Sequence, residues 1–362
     1  MPTILRPSGA YIWTNCAAAP TFQERVPEDP PSDAAREGTA AAWLAELALK
    51  SGGMCRDYLN ETHENGWLIT AEMVYYVQQY VDLLRSYGGQ IAVEQRVILT
   101  DFIQGTLDAS VIVNSGNVLR IKDLKYGFEI HEVFEHIQLL IYAAAELRRL
   151  GNPPHITHVE IAIYQPRAPH PDGPHRTWTL TVPQLWEWAE WIVTRGTECM
   201  MPNPVATPGK HCKRCRALTS CVAAQNTLQN GYEFIARDQR QHHKSAEDLA
   251  KLLDFLDLLN TIGKAAQTAA IAEAEQRVTN GEHIRGWFFK PRKGHRVWKY
   301  HPALIAFATG VRPFTETLMT PPEMERAGVP KKLVDSLARA PDIGRKFERM
   351  PDNYLRKVMD NG

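Results

Sequence analysis

The residues best suited to chemistry lie on two adjacent segments, Gly105-Thr106-Leu107-Asp108 and Asp123-Leu124-Lys125. Each segment alternates as a strand, and the short turn between them (NSGN) predicts a hairpin with Asp108 and Asp123 at one end. Asp123 and Lys125 are two apart, so their side chains leave the same face of a strand. Two carboxylates and an ammonium converging there suit metal-assisted phosphodiester hydrolysis. The acids hold a hard divalent cation, while the lysine orients the attacking water or helps to deprotonate it. Taken alone, the tripeptide reads more readily as an ion pair on a half-exposed strand. The helix that follows adds Gln138 and Tyr142, four apart on one face and able to look back at a bound phosphate.

A second group is GKHCKRCRALTSC, with Cys212, Cys215 and Cys221 spaced C-x2-C-x5-C. Thiolates at this spacing can turn toward one metal centre, but three do not close a tetrahedral site. The fourth ligand is open among Cys16, Cys55, Cys199 and His211. Lys210, Lys213, Arg214 and Arg216 flank the cysteines and offer phosphate contacts. Lys290, Arg292, Lys293, His295 and Arg296 form a second basic group beside Trp287, Phe288, Phe289 and Trp298, which reads equally as a solvated face. Arg148 and Arg149 are charges at a helix C-terminal end.

Several elements must position these groups. A helix over EGTAAAWLAE, with Thr39 as a candidate cap, precedes a second helix over residues 70–87. Strands follow at IAVEQRVIL, TLDASVIV and VLRIKDLKY, then the helix VFEHIQLLIYAAAELRRL, strands ITHVEIAIYQ and RTWTLTV, and the helix PQLWEWAEWIVTRG. This order predicts an α/β (α+β) core, a mixed sheet flanked by helices, over residues 1–228. A mostly helical region over 229–362 follows, with one long helix, or two, over 245–277. Of the 362 residues, 44% are hydrophobic and 23% are charged, and the formal net charge is zero. Overall charge therefore does not argue for nucleic acid, and local patches must carry that case. No apolar run is long enough for a membrane span, and the first residues lack the order of a secretory signal, so the expected location is the cytoplasm.

The order G-T-x-D, D-x-K, Q-x-x-x-Y resembles the RecB-like branch of the PD-(D/E)XK nucleases. KDLKYG and EGTAAAW resemble its phage and prophage members more specifically. The resemblance covers most of residues 8–222 and implies a restriction-endonuclease-like core that cleaves DNA with Mg²⁺ or Mn²⁺. It implies that Asp108, Asp123 and the carbonyl of Leu124 ligate metal, that Lys125 works on the water, and that Gln138 and Tyr142 position the DNA or the lysine. In relatives with an iron–sulfur cluster one cysteine precedes the core and three follow it. Cys16 with Cys212, Cys215 and Cys221 is then the expected [4Fe-4S] set, with Zn²⁺ as the alternative. The phage-type phrase E-G-T-A-x-H places a metal-binding histidine where this chain has Ala42, and Glu46, one turn on, would partly substitute. The implied activity is an exonuclease of phage recombination or DNA processing in a bacterial host, with DNA and a partner such as a single-strand annealing protein. The rival readings are a weakened, DNA-binding relative and a structural or packaging partner.

Overall fold

The computed structural model describes residues 4–28, 30–113, 116–238, 245–293, 297–299, 302–311, 319–339 and 342–349. The chain divides into two compact units, Met1–Ala266 and Gln267–Gly362.

The first unit opens with short helices α1 (Ala10–Trp13) and α2 (Ala19–Glu24), then α3 (Asp33–Ser51) and α4 (Ala71–Ser86). Ser32, not Thr39, caps α3: its Oγ accepts from the Ala35 amide at 3.2 Å. Thr39 lies a turn and a half inside the helix, where its hydroxyl bonds back to the Ala35 carbonyl at 3.0 Å. The helix stops at Gly52, whose φ of 74° lies in the left-handed region. Thr70 caps α4 through the Met73 amide at 3.2 Å.

Five strands follow the pattern of the sequence: β1 (Gln90–Ile98), β2 (Gln104–Ile112), β3 (Val118–Leu124), β4 (His158–Tyr164) and β5 (His175–Thr181). They form one sheet in the order β1-β2-β3-β4-β5. Only β3 and β4 are parallel, and α5 (Ile137–Arg149) makes the crossover between them. β4 reads HVEIAIY and is buried along most of its length, as a strand covered on both faces must be. One face packs on α5 and α6 (Val182–Cys199) through Leu119, Ile121, Leu139, Leu140 and Ile192. The other packs on α3 and α4 through Leu44, Val77, Val81, Ala109 and Val111. The result is the expected mixed sheet between two helical layers.

Two 3-10 turns, Lys210–Arg214 and Leu218–Ser220, carry the cysteine segment into α7 (Val222–Asp238). α8 (Ala246–Thr279) is a single helix that continues through Gly263, and it contains the division at Ala266. In the second unit, β6 (Trp287–Lys293) precedes β7 (Val297–Trp298), α9 (Pro302–Thr309), α10 (Pro321–Arg326), α11 (Lys331–Leu337), β8 (Ala338–Arg339) and β9 (Asp342–Arg349). β6 pairs with β9 and β7 with β8, both antiparallel, so this region carries strands as well as helices. Those pairings join segments about forty to sixty residues apart, which local periodicity cannot show. No helix among the described residues is long and apolar enough to cross a membrane.

Candidate active site and cysteine cavity

The β2–β3 ladder pairs Ala109 with Lys122, so its next step brings Asp108 level with Asp123. There a side chain takes over from the ladder: the Leu124 amide donates to Asp108 Oδ2 at 2.9 Å. Asp123 is 2% exposed, and Lys125 Nζ lies 2.9 Å from its Oδ2 and 3.1 Å from its Oδ1. Asp123 Oδ2 accepts no well-oriented hydrogen bond. Burial, and then the charge of Asp123, push the Asp108 carboxyl up to about 7 against Lys125 and the Leu124 amide. For Lys125, burial acts downward, but Asp123 and Asp108 outweigh it and the ammonium is held above its ordinary range.

Gln138 and Tyr142 meet on α5, Gln138 Nε2 donating to the Tyr142 hydroxyl at 3.2 Å. Burial raises Tyr142 to about 12, with Asp108 and Asp123 adding to the rise. Gly105 explains the glycine of G-T-x-D. A Cβ there would stand 2.7 Å from Pro7 Cδ and 3.2 Å from Tyr142 Cε1, so only glycine lets Pro7 and Tyr142 approach the strand.

On the α3–α4 face, Asp108 and Leu124 line a cavity with Ala42, Ala45, Glu46, Leu49, Tyr80, Val93 and Glu94. Ala42 and Glu46 thus reach the same space as Asp108. Glu46 is occupied by Lys50, at 2.5 Å.

Three residues near these acids escaped sequence reasoning. Glu94 lies on β1 opposite Asp108, between the pairs Val93↔Ala109 and Gln95↔Leu107, with φ of 48°. A non-glycine residue in that region costs about 1–3 kcal/mol and is found most often at functional sites. Burial, then Glu46, raise its carboxyl, while Lys50 opposes. The available signal was the three consecutive polar residues Glu94-Gln95-Arg96, which break the alternation of β1. The other two are His131 and His136, whose rings stand 6.4 Å apart. Burial lowers both, His136 to about 4, and each also feels Asp123 and Lys125. His136 Nδ1 is buried without a hydrogen-bond partner.

All six cysteines are free thiols. Cys16, Cys212, Cys215 and Cys221 line one small cavity of about 20 Å³, partly open to solvent, with His211, Ala19, Phe22 and Leu218. Backbone amides aim at two of these sulfurs: Thr207 at Cys16 Sγ (3.5 Å) and Gly209 at Cys212 Sγ (3.3 Å). Cys55 and Cys199 sit elsewhere, in the two helical cores, and burial raises each thiol to about 12. His211 lines the cavity but lies 3.8 Å from Cys212 Sγ. Ordinary hydrogen bonds tie the same ends of the unit together, from Ala18 N to Val205 O at 3.1 Å and from Arg195 Nε to Thr14 O at 2.9 Å. Among the described residues, no three His, Cys, Asp or Glu side chains close tightly enough to hold a single ion as they stand.

Of the basic residues, Lys210 pairs with Asp257 at 3.6 Å, Arg214 with Glu129, and Arg216 with Glu28 at 3.2 Å. Lys213 is exposed and has no ion pair among the described residues. Arg148 does more than end its helix, donating to the Leu99 carbonyl. Lys290 is exposed on β6. His295 and Arg296, with the side chains of Arg292, Lys293 and Trp298, lie outside the described residues.

Among proteins of curated function, none matches the chain. Three solved structures are similar at low identity. A candidate exonuclease from Eubacterium rectale shares 13% identity over 68% of this chain and 92% of its own, with a TM-score of 0.35. An alkaline exonuclease from Laribacter hongkongensis shares 10% over 54% and 89%, with a TM-score of 0.24. A phage-related exonuclease from Haemophilus somnus shares 14% over 55% and 94%, with a TM-score of 0.21. A family model matches residues 3–346, nearly the whole chain, and its description is "Protein of unknown function (DUF2800)". The chain is therefore a member of the DUF2800 family.

Proposed function

We propose that the protein hydrolyses phosphodiester bonds in DNA, with a divalent cation, Mg²⁺ or Mn²⁺, held at the end of the β2–β3 pair. The observation that carries this reading is the meeting of Asp108, Asp123 and Lys125 beside the Gln138–Tyr142 pair. The donor set fits a hard cation: Asp123 Oδ2 is buried without a well-oriented hydrogen bond, and the Asp108 and Asp123 carboxylates feel each other's charge with one ammonium, Lys125, close by. Asp108, Asp123 and the Leu124 carbonyl would hold the ion, with Glu94 and Glu46 completing its shell directly or through water. Bound there, the cation would polarise the phosphate and lower the pKa of a water. Lys125, held by Asp123, presents its ammonium to that water and to the phosphate. Gln138 fixes the Tyr142 hydroxyl, which feels the charges of Asp108, Asp123 and Lys125. The water oxygen bonds to phosphorus, the bond to the leaving sugar oxygen breaks, and that oxygen takes up a proton as the water loses one.

End-labelled linear DNA with Mn²⁺ tests the reading. The wild type should release labelled product, and Asp123→Asn and Lys125→Ala should each lose at least a hundredfold in rate. Equal rates in all three would refute it. Processive loss from one end is the expected pattern for an exonuclease of phage recombination. A weakened, DNA-binding relative is the second reading, favoured by the methyl of Ala42 on the cavity wall. DNA binding without cleavage at any Mn²⁺ concentration would select it.

For the cysteines we propose a [4Fe-4S] cluster on Cys16, Cys212, Cys215 and Cys221. Four cysteines line one cavity, which matches the number of thiolates that a [4Fe-4S] cluster takes. The amides aimed at Cys16 and Cys212 suit sulfurs carrying negative charge. Protein purified without oxygen should be brown and lose its colour in Cys215→Ser. Colourless protein with stoichiometric zinc would overturn the assignment.

A further inference from the structure

The segment between β3 and α5, three residues beyond Lys125, places Phe128 in water, 62% exposed. The surrounding structure holds this ring firmly. Arg167 stacks its guanidinium on one ring face, 4.3 Å from the centroid, and lies 4.6 Å from the centroid of Tyr126. Glu37 at 2.7 Å and Glu72 at 3.6 Å pair with that guanidinium by charge, although its Nε and Nη1 make no well-oriented hydrogen bond. Gln165 is fully buried and secures the backbone on either side of the ring. Its Nε2 donates to the Gly127 carbonyl at 3.0 Å and to the Glu129 carbonyl at 2.7 Å. Its Oε1 accepts from Arg176 at 2.8 Å and from the His131 amide at 3.3 Å. Phe134 on the same segment is equally exposed, but its ring stands on Trp178 at 4.9 Å. Each ring has one ring or cation partner among the described residues, Arg167 or Trp178, and Phe128 is the nearer of the two to Lys125 in sequence.

We propose that Phe128 is a stacking platform for an unstacked nucleobase, one at a strand end or in a single strand, next to the phosphate cleaved at Lys125. This rests on the nuclease reading and names the form of DNA that it takes. Three residues of chain separate the Cα atoms of Lys125 and Phe128 by no more than about 11 Å. Bases in a strand follow one another at about 3.4 Å, so the ring reaches the nucleotides nearest the scissile phosphate. A base inside a duplex has both faces covered by its neighbours. A terminal or unpaired base has a free face, and a planar apolar ring recognises that face whatever the base. Arg167 fixes the ring before DNA arrives, so little ordering remains to oppose binding.

The test measures binding of single-stranded and blunt duplex oligonucleotides in Ca²⁺, with 5-iodouracil at a terminal or an internal position for photocrosslinking. Wild-type protein should crosslink through residue 128 from the terminal position and not from the internal duplex position. Phe128→Ala and Phe128→Leu should weaken binding about 5- to 150-fold, the range that base–aromatic stacking of about 1–3 kcal/mol gives, while Phe128→Trp keeps it. Leucine binding as tightly as phenylalanine would overturn the platform, as would binding without a crosslink at 128. The exposed ring can be replaced without unfolding the chain, and unchanged circular dichroism checks this. If wild-type protein cleaves DNA with Mn²⁺ and Phe128→Ala binds equally well, only the platform fails. If wild-type protein neither binds nor cleaves, the nuclease reading fails with it.

Discussion

Replacing Ala42 with histidine probes the metal reading directly, because Ala42 shares a cavity wall with Asp108, Glu46, Glu94 and the Leu124 backbone. That cavity is small, about 10 Å³ or room for about one water, and is partly open to solvent. An imidazole has about the bulk of two to three waters at ~30 Å³ each, so it must turn toward the open side of the cavity or shift a neighbouring side chain. Its nitrogen adds a neutral ligand to a shell otherwise made of oxygens. Glu46 cannot fill the role freely, since it must first leave Lys50 at 2.5 Å. Groups that merely orient a ligand change metal affinity about 10- to 100-fold, so a direct ligand should lower the half-saturating Mn²⁺ concentration at least tenfold. The assay is initial cleavage rate against Mn²⁺ concentration, with Ala42→Leu as the control that fills the space without a lone pair. An unchanged midpoint in Ala42→His, or an equal shift in Ala42→Leu, would refute the idea that α3 carries this residue to the metal.

Three further outcomes follow from the geometry. In metal-free protein Asp108 binds its proton up to about 7, against an ordinary 3.8, so the folded state holds more protons than the unfolded state between these values. Stability should therefore fall as pH rises from about 4 to 7, by up to a few kcal/mol, and Asp108→Asn should flatten that fall. Mn²⁺ should then raise the Tm more at pH 8 than at pH 5, and equal increments would contradict the assignment. Gly105→Ala places a methyl within 2.7 Å of Pro7 and 3.2 Å of Tyr142; it should cost about 1–3 kcal/mol in denaturant melts, and Pro7→Ala should recover part of the loss. Lys213→Ala should reduce the slope of log affinity for DNA against log salt by about 1, whereas Arg216→Ala, which breaks bonds to Gln23 and Glu28, should chiefly lower the Tm.

The parts of the site that were legible in sequence are those fixed by local spacing. Asp123 and Lys125 leave β3 together because strands repeat every two residues, and Gln138 meets Tyr142 because helices repeat every four. Asp108 was legible because a hairpin turn sets its register against Asp123. Glu94 was not, because it needs a second strand pairing and an unusual backbone angle to reach Asp108. The Ser32 cap was missed because Thr39 offered a capping side chain nearer to the apolar run. The platform at Phe128 depends on Arg167 and Gln165, about forty residues away in sequence, and no period connects them.

The hydrogen bonds that join the two ends of the first unit also bear on its assembly. Arg195 bonds to Thr14 and Arg216 to Gln23 across separations of 181 and 193 residues. Closing so long a loop in an unfolded chain is entropically costly, so these contacts form after the sheet has drawn their anchors together. A chain emerging from the ribosome holds both acids and the lysine before it holds its clasp. The cavity between Cys16 and the later cysteines can exist only once residue 221 has been made and the sheet has closed. A group held by all four of these cysteines would therefore join after the acids and the lysine, and a chain ended before residue 221 would carry the acids without it.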